Sequence, residues 1–226
     1  MADPNLELLS GMAIAMGPLC EQVVFVGGCA TGLLVTQPLL ADSRVTEDVD
    51  AIVEVASLAG YHALADQLMA QGFKQTMLDN TPPFRWFWQR MQLDLVPLDE
   101  KVLGFANRWY RPGFDAAQTA TLPTGLRVRH LSAPYFVATK LEAFQDRGRN
   151  DVYLSHDLED IITVIDGRPE LLAELPKAPP DVRGFIAGQF TALLQIPDFP
   201  NALPGIVSHS SRAGLVLQRF TEIAQL

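Results

Sequence analysis

The chain has 226 residues, of which 48% are hydrophobic and 19% charged, so it is long and apolar enough to bury a sizeable core and does not read as disordered or low-complexity. Its formal charge of -9 argues against a protein that coats nucleic acid, because such proteins grip phosphates with an excess of clustered Lys and Arg. No apolar run approaches the ~20 residues that span a bilayer, and residues 1–10 carry Asp3 and Glu7 without the basic start of a signal peptide, so a cytoplasmic location is expected.

Residues 5–20 (NLELLSGMAIAMGPLC) read as a helix interrupted at Gly17-Pro18. Residues 22–26 (QVVFV) form a β-branched and aromatic run stopped by Gly27-Gly28, the pattern of a buried strand entering a tight turn. Residues 30–34 read as the first turns of a helix and 37–43 as a loop. Residues 49–55 (VDAIVEV) alternate as a second strand, with Asp48 and Asp50 near its start. Residues 58–72 form an amphipathic helix ending at a glycine. Residues 84–88 (FRWFW) and 91–96 (MQLDLV) resemble two antiparallel strands joined at Gln89-Arg90. After an irregular stretch around Trp109, residues 125–131 (GLRVRHL) read as a further strand. Beyond Pro134 the character turns helical, with helices expected over 134–146, 157–166, 180–194 and 211–224. The fold class implied is α/β (α+β): a small mixed sheet core flanked by helices over residues 1–132, and a helical C-terminal lobe over 133–226.

Three chemistry-bearing features end on successive strands: Gly27-Gly28, then Thr46-Glu47-Asp48-Val49-Asp50, then Asp94 between Leu93 and Leu95. Residues two apart on a strand share a face, so Asp48 and Asp50 present two carboxylates side by side while Val49 turns to the core. Asp94 stands likewise opposite two apolar neighbours. Carboxylates that converge repel one another, and a hard divalent cation such as Mg²⁺ or Mn²⁺ relieves that cost. Gly27-Gly28 lets backbone N–H groups approach a phosphate closely at a strand-to-helix turn.

This order of motifs resembles the signature of DNA polymerase β-like nucleotidyltransferases. The phrase from Val26 to Leu33 (VGGCATGL), followed by that from Arg44 to Asp50 (RVTEDVD), looks most like the bacterial branch found in abortive-infection and toxin–antitoxin systems. Lys140 in TKLEAF, and Asp157 and Asp160 in HDLEDI, also resemble that branch. The resemblance covers roughly residues 22–165. It implies metal-dependent transfer of a nucleoside monophosphate from an NTP, such as ATP, to an acceptor hydroxyl, with Asp48, Asp50 and Asp94 as catalytic metal ligands. It implies phosphate contacts for Gly27, Gly28, Thr46, Arg44 and Lys140, and a supporting role for Asp157 or Asp160. The acceptor would be a tRNA end, a protein or a small molecule, and a toxin would come with a cognate antitoxin. Gly28 departs from the many relatives that carry a phosphate-binding serine there, and the gap from Gly28 to Asp48 is longer than in minimal members.

The same residues have ordinary uses. Asp-x-Asp occurs on solvated strand edges, Gly-Gly in plain turns, and Arg44 and Lys140 suit a surface. Asp157 suits a helix start. The alternative function is a catalytically inactive member of the same fold that binds a nucleotide or a partner, and a third is a metal-dependent phosphohydrolase. Cys20 and Cys29 form no CxxC or Cys/His cluster, and Thr31 stands where a nucleophile elbow around Cys29 needs glycine. Walker and Gly-x-Gly-x-x-Gly patterns are missing too, which sets aside P-loop and Rossmann chemistry.

Overall fold

A computed structural model of the chain describes residues 3–38, 41, 43–76, 81–104, 106–146 and 151–226. Of the loop expected over 37–43, residues 39, 40 and 42 lie outside that description. The chain divides into two compact units, one of residues 1–30 and 45–131, the other of residues 31–44 and 132–226.

The first unit is built on a six-stranded mixed sheet. Its strands are β1 (Val23–Val26), β2 (Asp48–Val53), β3 (Arg85–Trp88), β4 (Met91–Pro97), β5 (Gln118–Thr121) and β6 (Arg127–His130), in the order β3-β4-β2-β1-β6-β5. All of β1 is buried, as its unbroken VVFV run requires of a central strand. β1 pairs antiparallel with β2 and parallel with β6, while β2 pairs parallel with β4. β3 and β4 form the expected hairpin, whose turn residue Gln89 takes a φ of +54°. β5 falls in a stretch that reads as irregular. Its side chains (QTAT) are largely exposed, so no apolar alternation marks this edge strand.

Helix α1 (Pro4–Met16) starts where Asp3 accepts from Asn5 N at 2.9 Å and Pro4 supplies a preset φ. It ends at Gly17, where Pro18 cannot continue it and a 3₁₀ segment, Gly17–Gln22, leads into β1. α3 (Leu58–Ala70), which follows β2, is capped by Ser57, whose Oγ accepts from Gly60 N at 3.2 Å. The short helices α4 (Glu100–Leu103) and α5 (Tyr110–Asp115) occupy the irregular stretch after β4.

The second unit is helical: α2 (Thr31–Leu34), α6 (Ala133–Asp146), α7 (His156–Gly167), α8 (Leu171–Glu174), α9 (Pro180–Leu194), α10 (Phe199–Ile206) and α11 (Ala213–Ile223). Its core includes Phe190 stacked on Phe220 with ring centroids 4.4 Å apart, and Phe199 tilted against the same ring at 4.9 Å. Residues 31–44 join this unit through the end of α7, because Gly167 O accepts from both Thr36 N (3.0 Å) and Gln37 N (2.9 Å). Among the described residues no helix is long and apolar enough to cross a membrane.

Candidate functional site

Strand register brings the acids of the first unit together. Val49, Leu93 and Leu95 are fully buried, so the alternating Asp48, Asp50 and Asp94 all emerge on the opposite face. Asp50 pairs with Asp94 across the parallel β2/β4 ladder and with Val26 across the antiparallel β1/β2 ladder. One carboxylate oxygen from each of Asp48, Asp50 and Asp94 falls within 4.8 Å of the others. Asp94 is buried, while Asp48 and Asp50 are half-buried.

Neighbouring groups fix the acids. Thr46 Oγ1 donates to Asp48 Oδ1 at 2.7 Å, and Thr46 N donates at 3.0 Å to Oδ1 of Asn5, a fully buried residue of α1. Thr46 thus orients an acid through its hydroxyl. Gly27 takes φ +70°, and a Cβ placed on it would lie 1.9 Å from Asp50 Oδ2. Any side chain there would occupy the carboxylate's space. Gly28 is buried in the turn behind it, Ala30 N closes the turn onto Gly27 O at 3.2 Å, and the buried Cys29 thiol donates to Val26 O at 3.2 Å. That inward-facing thiol supports the sequence argument against a nucleophilic cysteine.

A cation not expected from the sequence also stands in the cluster. Arg85 of β3 grips Asp94 with a two-pronged pair, Nε to Oδ1 at 2.8 Å and Nη2 to Oδ2 at 2.7 Å. Gln92, its amide oxygen turned to the guanidinium, accepts from both nitrogens at 3.1 Å. The hydrogen bond to Asp94 raises the Arg85 pKa above its ordinary value, helped by the charges of Asp94, Asp48 and Asp50. The signal was in the sequence: a hairpin turning on Gln89-Arg90 sets Arg85 opposite Asp94 once residues are counted outward.

These residues fit a hard divalent cation. The donors are all carboxylate oxygens, and glycine at position 27 leaves room for the Asp50 carboxylate to take its place among them. The three acids bring a formal charge of -3, and Arg85 offsets one of these charges through its pair with Asp94.

The remaining sequence-selected residues gather in the second unit. Lys140 Nζ, buried on α6, donates to Asp157 Oδ1 at 3.0 Å and pairs with Asp160 Oδ2 at 2.6 Å. Arg44 binds the same Asp160 carboxylate through Nε (3.1 Å) and Nη2 (3.3 Å). Asp157 and Asp160 share a face of α7 three residues apart, just past its N-cap Ser155, whose Oγ accepts from Leu158 N at 3.3 Å. Two cations are thereby locked on two buried acids.

No protein-family model and no curated protein sequence matches the chain. Solved structures do. An antigenic nucleotidyltransferase-like protein from Paracoccidioides brasiliensis superposes with a TM-score of 0.52 at 22% identity, over 93% of this chain and 96% of that one. JHP933 from Helicobacter pylori superposes with a TM-score of 0.52 at 12% identity, over 100% of this chain and 94% of that one. At these identities the likeness is one of fold alone.

Proposed function

We propose that the chain is a metal-dependent nucleotidyltransferase that moves a nucleoside monophosphate from an NTP to an acceptor hydroxyl and releases pyrophosphate. The observation that carries this reading is the register-aligned cluster of Asp48, Asp50 and Asp94, with oxygens within 4.8 Å of one another on a nucleotidyltransferase-like fold. In the reaction the acceptor oxygen forms a bond to the α-phosphorus as the α–β phosphoanhydride bond breaks. A bound Mg²⁺ or Mn²⁺ supplies charge neutralisation and lowers the pKa of the attacking hydroxyl. Asp48, held by Thr46, and Asp50, given room by Gly27, would hold the ion that carries the triphosphate. Asp94 serves the acceptor side and helps draw off the hydroxyl proton. The Gly27-Gly28 backbone lies against phosphate, a role that asks nothing of a side chain. In the second unit the same reading gives Lys140 and Arg44 to nucleotide phosphate, with Asp157 and Asp160 fixing their positions.

The test is incubation of pure protein with Mg²⁺, each radiolabelled NTP in turn and a cell extract. Label should appear on RNA, on a protein or on a small molecule, naming the acceptor class, and should vanish with Asp50→Ala. Transfer that survives in both Asp48→Ala and Asp50→Ala removes the assignment. The toxin role extends this reading to cells: expression should arrest growth, and Asp50→Ala should not.

A further inference from the structure

The pairing of Arg85 with Asp94 uses both oxygens of a buried carboxylate that belongs to the acidic cluster. The two N···O contacts, at 2.8 and 2.7 Å, make a guanidinium fork on the carboxylate, and Gln92 backs the same two nitrogens from the neighbouring face position of β4. Each carboxylate oxygen has two lone pairs, and a two-pronged arginine takes the favourable one on both. A cation seeking Asp94 must therefore displace Arg85 or accept the poorer lone pairs. Among the described residues no such competitor is bonded to Asp48, whose oxygen receives a neutral threonine hydroxyl at 2.7 Å. The cluster is thus asymmetric: one acid is held by a neutral donor and another carries a fixed positive charge.

We propose that Arg85 is a built-in competitor for divalent metal, which withholds Asp94 and limits the resting site to one ion on the Asp48–Asp50 side. Entry of a second ion requires Arg85 to leave Asp94, and an incoming triphosphate provides the anionic oxygens that take up the released guanidinium. Arg85 is on this view a positioning residue that couples the second ion to the nucleotide. The proposal rests on the reading of the acidic cluster as a metal site, and it is testable without any transfer assay.

The experiment is calorimetric titration of chelator-stripped protein with Mn²⁺, in the absence of nucleotide, for the wild type, Arg85→Gln and Arg85→Lys. The wild type should take one equivalent. Arg85→Gln should take a second and bind the first about tenfold tighter, as expected when one nearby positive charge is removed. Arg85→Lys, which keeps the charge and loses the fork, should fall between them. The Mn²⁺-induced rise in melting temperature should be larger in Arg85→Gln than in the wild type. If Arg85→Gln does not fold, Arg85→Lys carries the test, and a stoichiometry and affinity equal to wild type overturn the proposal. Equal binding in all three proteins overturns the role of Arg85 alone, whereas no binding in any of them overturns the metal site as well.

Discussion

The carboxylate of Asp50 lies where the side chain of residue 27 would be: a Cβ on Gly27 would meet Oδ2 at 1.9 Å, Cγ at 2.6 Å and Cβ of Asp50 at 2.8 Å. A glycine and an acid on neighbouring strands are therefore one structural unit. The register that pairs Val26 with Asp50 makes them so.

Gly27→Ala is expected to push the Asp50 carboxylate aside and to strain a backbone held at φ +70°. The cost in stability should be about 1–3 kcal/mol, measured by urea unfolding. Mn²⁺ binding should fall with it. In an Asp50→Ala background the two closest clashes vanish, so Gly27→Ala should cost less there than in the wild type. Equal costs in the two backgrounds would show that strain alone is at work.

Crowded carboxylates also trade stability for function. With chelator present, Asp48→Asn should melt at a higher temperature than the wild type, because one of the crowded carboxylate charges, offset only in part by Arg85, is gone while its oxygen can still accept from Thr46. Adding Mg²⁺ should reverse the order, since only the wild type gains binding energy in its folded state. Calorimetric melting with and without metal checks both halves. An Asn variant that is less stable in chelator and still responds to Mg²⁺ contradicts them.

Much of this arrangement was legible because it depends on alternation. Asp48, Val49 and Asp50, and Leu93, Asp94 and Leu95, declare which face each side chain takes, and the Gly27-Gly28 stop marks the end of a buried strand. Arg85 was hidden because its meaning lies in cross-strand register, which single-strand periodicity does not report. β5 and the helix α10, which carries Pro204 inside it, were hidden for a different reason: local residue preferences disfavour the structure that tertiary packing imposes. Lys140 and Arg44 were legible as cations of interest. Their joint hold on Asp160 was not, because residues 44 and 160 are distant in sequence.

That shared carboxylate leads to a prediction for the second unit. Asp160→Ala removes the acid common to Lys140 and Arg44 and leaves a buried ammonium with Asp157, so it should cost about 3–5 kcal/mol. Lys140→Met and Asp160→Leu together should cost less than the sum of the two single changes, because the double variant leaves fewer uncompensated buried charges. A double-mutant cycle by urea unfolding measures the coupling. Strict additivity would mean that the two side chains do not stabilise each other.

Alkaline pH should destabilise the first unit through two buried acids that keep their protons. Burial, with some help from Glu21, pushes the Cys20 thiol from 9.0 up to about 11. Burial chiefly, with the charge of Asp94 adding to it, pushes the Tyr61 phenol, which donates to Leu95 O at 3.0 Å, from 10.0 up to about 12. Between these pairs of values the unfolded chain has released protons that the folded chain still holds. The unfolded state then binds fewer protons, so stability falls as pH rises. The loss should begin near pH 9 with Cys20 and continue toward pH 12 with Tyr61, at about 2–3 kcal/mol for each group. Melting temperature followed from pH 8 upward tests this. Cys20→Ala should flatten the portion that begins near pH 9, and Tyr61→Phe the portion that begins near pH 10; variants whose curves run parallel to the wild type would place the alkaline loss elsewhere in the chain.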